Sequence, residues 1–560
     1  MSFRIIESFN TVDNLLIIFL TLILYLFHFY YNYFTRPNPL PGPLPLPFGL
    51  ESLFFDGNFK RLTADLCQKY GDICEFRLGG YRRIVLSKPD YFENLLAPSK
   101  NLAIFATSEY SPGVDMLGTF GLGMFLNNNY ENWKINKYFL LQSISTPGFS
   151  EEAIKFTIES FEKLDGYWNS LKKSQSCEDD WLQIDFSQWM NRFMTDNISI
   201  IATGERGCSM DSYYNTFNSD KSKLESSHFD DPKLYNSEKF IRALIAYTRG
   251  LNLFYFVHPF LVRYVPFLKN KANLLQENIN YALKTLDNMI ERRKFDFANT
   301  PQKLKSKHDL LTLLITANHD AKRKMVESLT DEDIRALLFD IFLAGSDSTS
   351  STLCYIIYNI CHNPHVKQKM FDEIDSVFPG NSSSTLCITL DHLGKLKYCE
   401  AIIKEASRMT PVLPISKRVT NAECKVAGYK WPAKIVFHLN YANIHMNEKY
   451  WINPTVFDPD RFDLQNDLNE FNDDLSISDK ENKKSTHDRD KFSLIMFGGG
   501  IRICPGKRLA MTNLLSFMAL IFKKYDVELM DMEAPLKTYT GVITNCLELK
   551  IKVKPRKPSL

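Results

Sequence analysis

No Cys-x-x-Cys pair occurs among the 11 cysteines of this 560-residue chain. That absence argues against a structural zinc site and against a secreted disulfide framework. The expectation is free, mostly buried thiols in a reducing compartment, with one or two at most carrying chemistry. Charge of one sign is equally scarce: 67 Lys and Arg against 65 Asp and Glu leave a net +2. A chain this neutral has no global field to gather nucleic acid, and none is expected as a partner. His362 and His365 stand three apart, but H-E-x-x-H is missing, so that zinc chemistry is excluded. Also missing is a G-x-G-x-x-G between a strand and a helix, which leaves no flavin or nicotinamide domain in view. A mean hydropathy of −0.22 argues against a multi-span membrane protein. Aromatics are abundant, at 13% with 42 Phe, which suits a large apolar interior. Hydrophobic residues at 44% and charged residues at 24% exclude a disordered or collagenous chain.

One apolar run stands out. Leu15 to Phe34 carries no Asp, Glu, Lys or Arg over 20 residues, enough at helical rise to cross the roughly 30 Å hydrocarbon core. It is expected to anchor the chain after a short segment 1–14. A cleaved leader is the weaker alternative, because the run is long and no small-residue cleavage site follows. Arg36, Lys60 and Arg61 follow the span and lean its C-terminal side toward the cytosol. Residues 35–49 form a hinge: from Arg36 to Gly49, prolines 37, 39, 41, 43, 45 and 47 alternate with other residues. Proline fixes φ and donates no hydrogen bond, so a stiff, extended connection is predicted.

Beyond the hinge, Gly71 to Ser87 reads as a hairpin. Asn132 to about Cys399 reads mostly as helix. The clearest helix is Asp331 to Asn363, with Thr330 as its cap, acidic residues in its first turn and Asn363-Pro364 ending it. Gly345, Ser346 and Ser348 lie in its middle and are expected to weaken its ladder. The polar stretches 208–231 and 463–491 read as surface insertions.

The chemistry is expected at Cys504. It lies in FGGGIRICPG, Phe497 to Gly506, just before the helical run Lys507 to Lys524. Pro505 suits the first position of that helix. Backbone N–H groups at a helix start favour a thiolate. The glycines admit a flat, bulky group, and Arg502 offers a fork for a carboxylate. Together these match the needs of a cysteine-ligated haem with propionates.

The segment resembles the haem-binding signature of the cytochrome P450 family, F-x-x-G-x-R-x-C-x-G, at Phe497, Gly500, Arg502, Cys504 and Gly506, with Gly498 inside the same loop. Three further motifs follow the family's order. Glu405 and Arg408 form E-x-x-R, and the resemblance implies that they lock structurally to Arg461 of FDPDRF. NWKINK resembles the family's W-x-x-x-R, with Trp133 in place and Lys137 where Arg is usual. Arg418 matches a further propionate-binding Arg. The resemblance implies a mainly α fold with a small β region, one catalytic domain over residues 50–560, and haem b ligated axially by Cys504. It overrides the expectation of several domains that length alone suggests.

AGSDST, Ala344 to Thr349, resembles the family's oxygen-activation segment. There Asp347 is the acid and Ser348, in place of the usual Thr, the alcohol; Thr349 is the neighbouring hydroxyl. The resemblance implies a monooxygenase that inserts one oxygen atom of O2 into a lipophilic small molecule. Its electrons would come from a membrane-bound NADPH-dependent flavoprotein reductase. Lys134, Lys137, Lys507 and Arg508 are candidates for a docking face. The endoplasmic reticulum, with the catalytic domain facing the cytosol, is the implied location. The alternatives are a haem-thiolate isomerase or dehydratase acting on a hydroperoxide without external electrons, and a non-catalytic haem protein. The resemblance further implies substrate contacts in about Phe105 to Phe125, Leu251 to Leu268 and Thr538 to Thr544, whose apolar and aromatic residues, Phe254, Tyr255 and Phe256 among them, imply a hydrophobic pocket.

Overall fold

The computed structural model describes residues 11–79, 81–96, 121–174, 180–217, 232–299, 308–323, 327–380, 386–462 and 492–556. The stretch 463–491, most of 208–231 and most of 105–125 lie outside the described residues. Part of the first polar stretch is helical, at Ser209–Asn215.

Helix α1, Thr11–Phe34, opens the chain. No part of its apolar window is buried, and it is the one helix among the described residues long and apolar enough to cross a membrane. The proline-rich segment then runs to a short 3-10 turn, and Tyr25 of α1 stacks on Phe48 at 4.4 Å. The expected hairpin follows as β1, Ile73–Leu78, and β2, Tyr81–Leu86. β2 pairs in parallel with β7, Val436–Asn440, and β7 pairs antiparallel with β4, Ile415–Val419. This four-stranded sheet places Arg418 opposite Phe437. A three-stranded sheet joins β3, Leu182–Asp185, to β11, Lys550–Pro555, and β8, Tyr525–Leu529. Two small hairpins complete the β structure: β5 and β6 (Cys424–Val426, Tyr429–Trp431), and β9 and β10 (Lys537–Thr540, Thr544–Glu548).

The body of the molecule is helical, as expected. Four helices position the site: α2, Tyr130–Ile144; α3, Phe186–Thr203; α4, Asp331–His362; and α5, Lys507–Lys524. α4 runs through the core, and most of its residues are buried. The Thr330 hydroxyl accepts from the Asp333 N–H while the Asp333 carboxylate accepts from the Thr330 N–H, closing a capping box. Asn363 ends it, as the following proline requires.

Two local expectations are corrected. α4 is helical without interruption through Gly345 and Ser348. Gly345 instead permits close packing: a Cβ there would lie 2.7 Å from Cδ1 of Ile198 on α3. α5 begins at Lys507 with Gly506 as its cap, so Pro505 stands in the preceding turn. That turn closes through the Lys507 N–H to the Cys504 carbonyl at 3.4 Å.

Candidate active site

The Cys504 loop is shaped by glycines with real conformational demands. Gly498 and Gly500 hold φ of +77° and +67°, which other residues adopt only with strain. The Cys504 N–H donates to the Phe497 carbonyl at 2.9 Å and closes the loop. Phe497 packs against the main core, which fixes the loop's base. A Cβ at Gly506 would stand 3.9 Å from the Cys504 sulfur, so the turn passes close to the thiol. Burial pushes the Cys504 thiol up, while the Gly506 N–H and the Lys507 charge draw it down. The helix start therefore favours the thiolate, as the sequence suggests, but burial is the larger effect in the protein alone.

Three cations converge on this loop. Arg418 is only 4% exposed. Its guanidinium meets neutral oxygens: Ser416 Oγ at 3.3 Å, the Lys417 carbonyl at 2.8 Å and the Gly499 carbonyl at 3.3 Å. Burial lowers its pKa. Burial, then the neighbouring Arg418 charge, hold Arg502 down to about 9, and Asp340 opposes them. Arg502 donates to the Met124 carbonyl at 2.9 Å and to the Asn127 carbonyl, and it lies 4.8 Å over the Trp133 ring. Lys137 donates to the Ile501 carbonyl at 2.8 Å and lies 4.9 Å from the same ring. Trp133 and Lys137 thus reach the Cys504 loop from α2.

A buried positive charge held by neutral oxygens is costly without an anion. A thiol on a glycine loop beside two desolvated guanidinium groups is the donor set that a haem with two propionates requires. The residues present fit that group.

On α4 the candidate oxygen-side residues separate. Ala344 is exposed, and Asp340, Asp347 and Ser348 are partly so, although the helix is otherwise largely buried. Residues four apart share a helix face, so Asp340, Ala344 and Ser348 form one open stripe. The Ser348 hydroxyl donates to the Ala344 carbonyl. Thr349 is 4% exposed and turned into the core.

The E-x-x-R pair forms a buried fork. Arg408 Nε and Nη2 each donate to a Glu405 oxygen at 2.7 Å, with both side chains fully buried. Arg461 donates to Glu405 at 3.1 Å, and the Asp458 N–H does so at 3.0 Å. Arg408 also holds the His445 and Pro454 carbonyls, tying together the chain that leads to the Cys504 loop.

Sequence reasoning missed Asp340. Its Oδ2 accepts from the Met124 N–H at 2.6 Å and the Phe125 N–H at 3.0 Å. Burial raises its pKa to about 6. The signal was present: a lone carboxylate in LLFDIFLAG, with only Ala and Leu three and four residues away on either side. Other expectations shift. Phe254, Tyr255 and Phe256 are buried in the core, Phe256 stacking on Phe59 at 5.1 Å, so core packing takes up their apolar surface. Of the proposed docking cations, Lys134 is exposed, while Lys137 and Arg508 bond to backbone carbonyls. Ten described cysteines, Cys504 among them, are free thiols.

A family model described as Cytochrome P450 matches residues 40–554. Tabersonine 16-hydroxylase 1 of Catharanthus roseus is 25% identical over 509 residues, covering 87% of this chain and 85% of that protein. Tabersonine 6,7-epoxidase isoform 1 of the same plant is 31% identical over 223 residues, 40% of this chain and 39% of that protein. The solved structure of a cytochrome P450DA heme domain superposes with a TM-score of 0.70 at 20% identity, covering 93% of this chain and 99% of that one.

Proposed function

The chain belongs to the cytochrome P450 family and is a P450 monooxygenase, and from that premise we propose that it inserts one oxygen atom of O2 into a lipophilic small molecule, using electrons from a separate NADPH-dependent flavoprotein reductase. The observation that carries this reading is the thiol of Cys504 on its glycine loop beside the buried Arg418 and the half-buried Arg502.

Cys504 would ligate haem iron. Arg418 and Arg502 would hold the propionates, with Trp133 and Lys137 contributing from α2. Phe497, Gly498, Gly500 and Gly506 would shape the loop that holds the group. When bound, the haem supplies the activation of dioxygen; the chain supplies binding, orientation and protons. Asp347 is the acid that takes protons up, and Ser348 Oγ is the hydroxyl that passes them inward. What supports Ser348 over Thr349 is its place on the open stripe of α4. Glu405, Arg408 and Arg461 act structurally, by fixing the approach to the Cys504 loop.

α1 is the proposed single-pass anchor, with residues 35–49 as hinge and 50–560 as one catalytic domain facing the cytosol, in the endoplasmic reticulum. The epoxidase and hydroxylase names of the relatives favour oxygen insertion over hydroperoxide rearrangement.

The test is the reduced, carbon monoxide-bound difference spectrum of the purified protein beside Cys504→Ala. A strongly red-shifted Soret band, lost in the variant, is expected. NADPH-dependent oxygen uptake on adding reductase would then separate the monooxygenase from an electron-independent isomerase. A folded, haem-loaded wild type without that band would overturn the assignment of Cys504.

A further inference from the structure

The segment Gly121–Asn127 is gripped from two directions. From α4, Asp340 accepts the Met124 and Phe125 N–H groups on a single oxygen. From the Cys504 loop, Arg502 donates to the Met124 and Asn127 carbonyls. Met124 therefore joins the loop that carries the thiol to the helix that carries the proton-delivery pair. We infer that Asp340 is a positioning residue: its carboxylate holds Gly121–Asn127 against α4 and so sets the space left for substrate beside the Ala344–Ser348 stripe. This rests on the haem reading of the Cys504 loop proposed above.

Three observations carry the inference. Asp340 shares its helix face with Ala344 and Ser348, at four-residue spacing, so whatever it holds borders the proposed oxygen side. Its carboxylate is kept where burial penalises charge and apolar packing would cost less. The segment is also shaped to receive it. Gly123 has φ +66°, and a Cβ there would fall 2.5 Å from Asp340 Oδ2. A side chain at that position would push the carboxylate away from the two N–H groups it holds.

The experiment uses the full-length, haem-loaded protein with Asp340→Ala, Asp340→Asn and Gly123→Ala. Hydrogen exchange is followed in peptides covering 121–129, with the buried half of α4 as control. Absorbance titrations use imidazole and the bulkier 4-phenylimidazole. In Asp340→Ala, exchange of the segment should rise about tenfold or more while the control peptide is unchanged. Affinity for 4-phenylimidazole should shift by about fivefold or more and for imidazole by less than about twofold, because only the larger probe senses the width of the space. Asp340→Asn keeps an acceptor oxygen and should return exchange toward wild type. Gly123→Ala, whose added Cβ would displace the Asp340 carboxylate, should reproduce the selective shift with Asp340 itself unsubstituted. Unchanged exchange in Asp340→Ala would overturn the clamp. Faster exchange with equal effects, or none, on the two probes would overturn its role in the pocket. Failure of the haem reading is separately visible, because the wild type would then lack the thiolate band while the exchange difference persisted.

Discussion

Ser348 and Thr349 are adjacent hydroxyls with different surroundings, and the proposed proton relay through Ser348 rests on that difference. One residue along a helix turns a side chain by about 100°, which carries Thr349 into the core and leaves Ser348 on the open stripe. Ser348→Ala should leave NADPH consumption running while product formed per NADPH falls at least about tenfold, within the range of a lost proton-transfer group. Thr349→Ala should change that ratio little. Measuring product and peroxide against NADPH in both variants checks the assignment, and equal losses would sink it. Asp340 has a pH signature of its own. Burial lifts its folded pKa to about 6, above an unfolded value of roughly 3.9. Its stabilising contribution is thus fully present below the unfolded pKa and is lost as pH rises through about 6. Two backbone N–H groups, from Met124 and Phe125, and the Arg502 charge oppose that loss without reversing it. Asp340→Asn should therefore melt at a higher temperature than wild type at pH 7 to 8, with the gain vanishing toward pH 4. Melting curves across that range test the sign.

Elements were legible where their causes are local. Thr330, the acidic first turn and Asn363-Pro364 bracket α4 within a few residues of its ends. Glu405 and Arg408 could be paired because three residues separate them on one helix. The same logic says nothing of Asp340 and Met124, which lie 216 positions apart. It also could not show that Gly345 serves the crossing of α4 over α3, since no sequence feature announces Ile198 as its neighbour. The Cys504 loop could be singled out as a candidate site because its glycines, cation and thiol are contiguous. The burial that pushes that thiol up was not, because it depends on the whole molecule. Gly345 gives the element-scale prediction. Alanine there would gain about 1 kcal/mol of helix propensity, but overpacking a core contact costs about 1–3 kcal/mol. Gly345→Ala should therefore lower stability slightly. Adding Ile198→Val, which removes the clashing Cδ1, should recover it. A denaturant-unfolding double-mutant cycle measures the coupling, and additivity would show that the two helices do not meet at this point.

At the scale of the molecule, the question is how a helix with no buried apolar window is held at a defined angle to the catalytic body. A proline-rich hinge supplies stiffness, but stiffness alone leaves its far end free to swivel. The structure supplies a lock in Glu75 of β1. Its carboxylate receives Arg36, two residues beyond α1, and Arg82 of β2, each at 2.5 Å, and the Leu40 N–H at 3.3 Å. Arg36 also donates to the Tyr33 carbonyl at 2.5 Å. Gly42 lets the hinge press onto the strand: a Cβ there would overlap the Glu75 carbonyl at 1.8 Å. One buried carboxylate thus joins the end of α1, the proline-rich segment and the sheet. Glu75→Ala would leave two largely buried guanidinium groups unpaired, a change worth about 3–5 kcal/mol where such pairs are broken from one side. The variant should still float with phospholipid vesicles, since the apolar face of α1 is untouched. It should also melt earlier and become open to proteolytic cutting between Arg36 and Gly49. Glu75→Gln, which keeps an acceptor, should fall between the two. If Glu75→Ala resists proteolysis as wild type does, proline stiffness alone sets the angle. If it no longer floats, the lock contributes to membrane binding itself and not only to orientation.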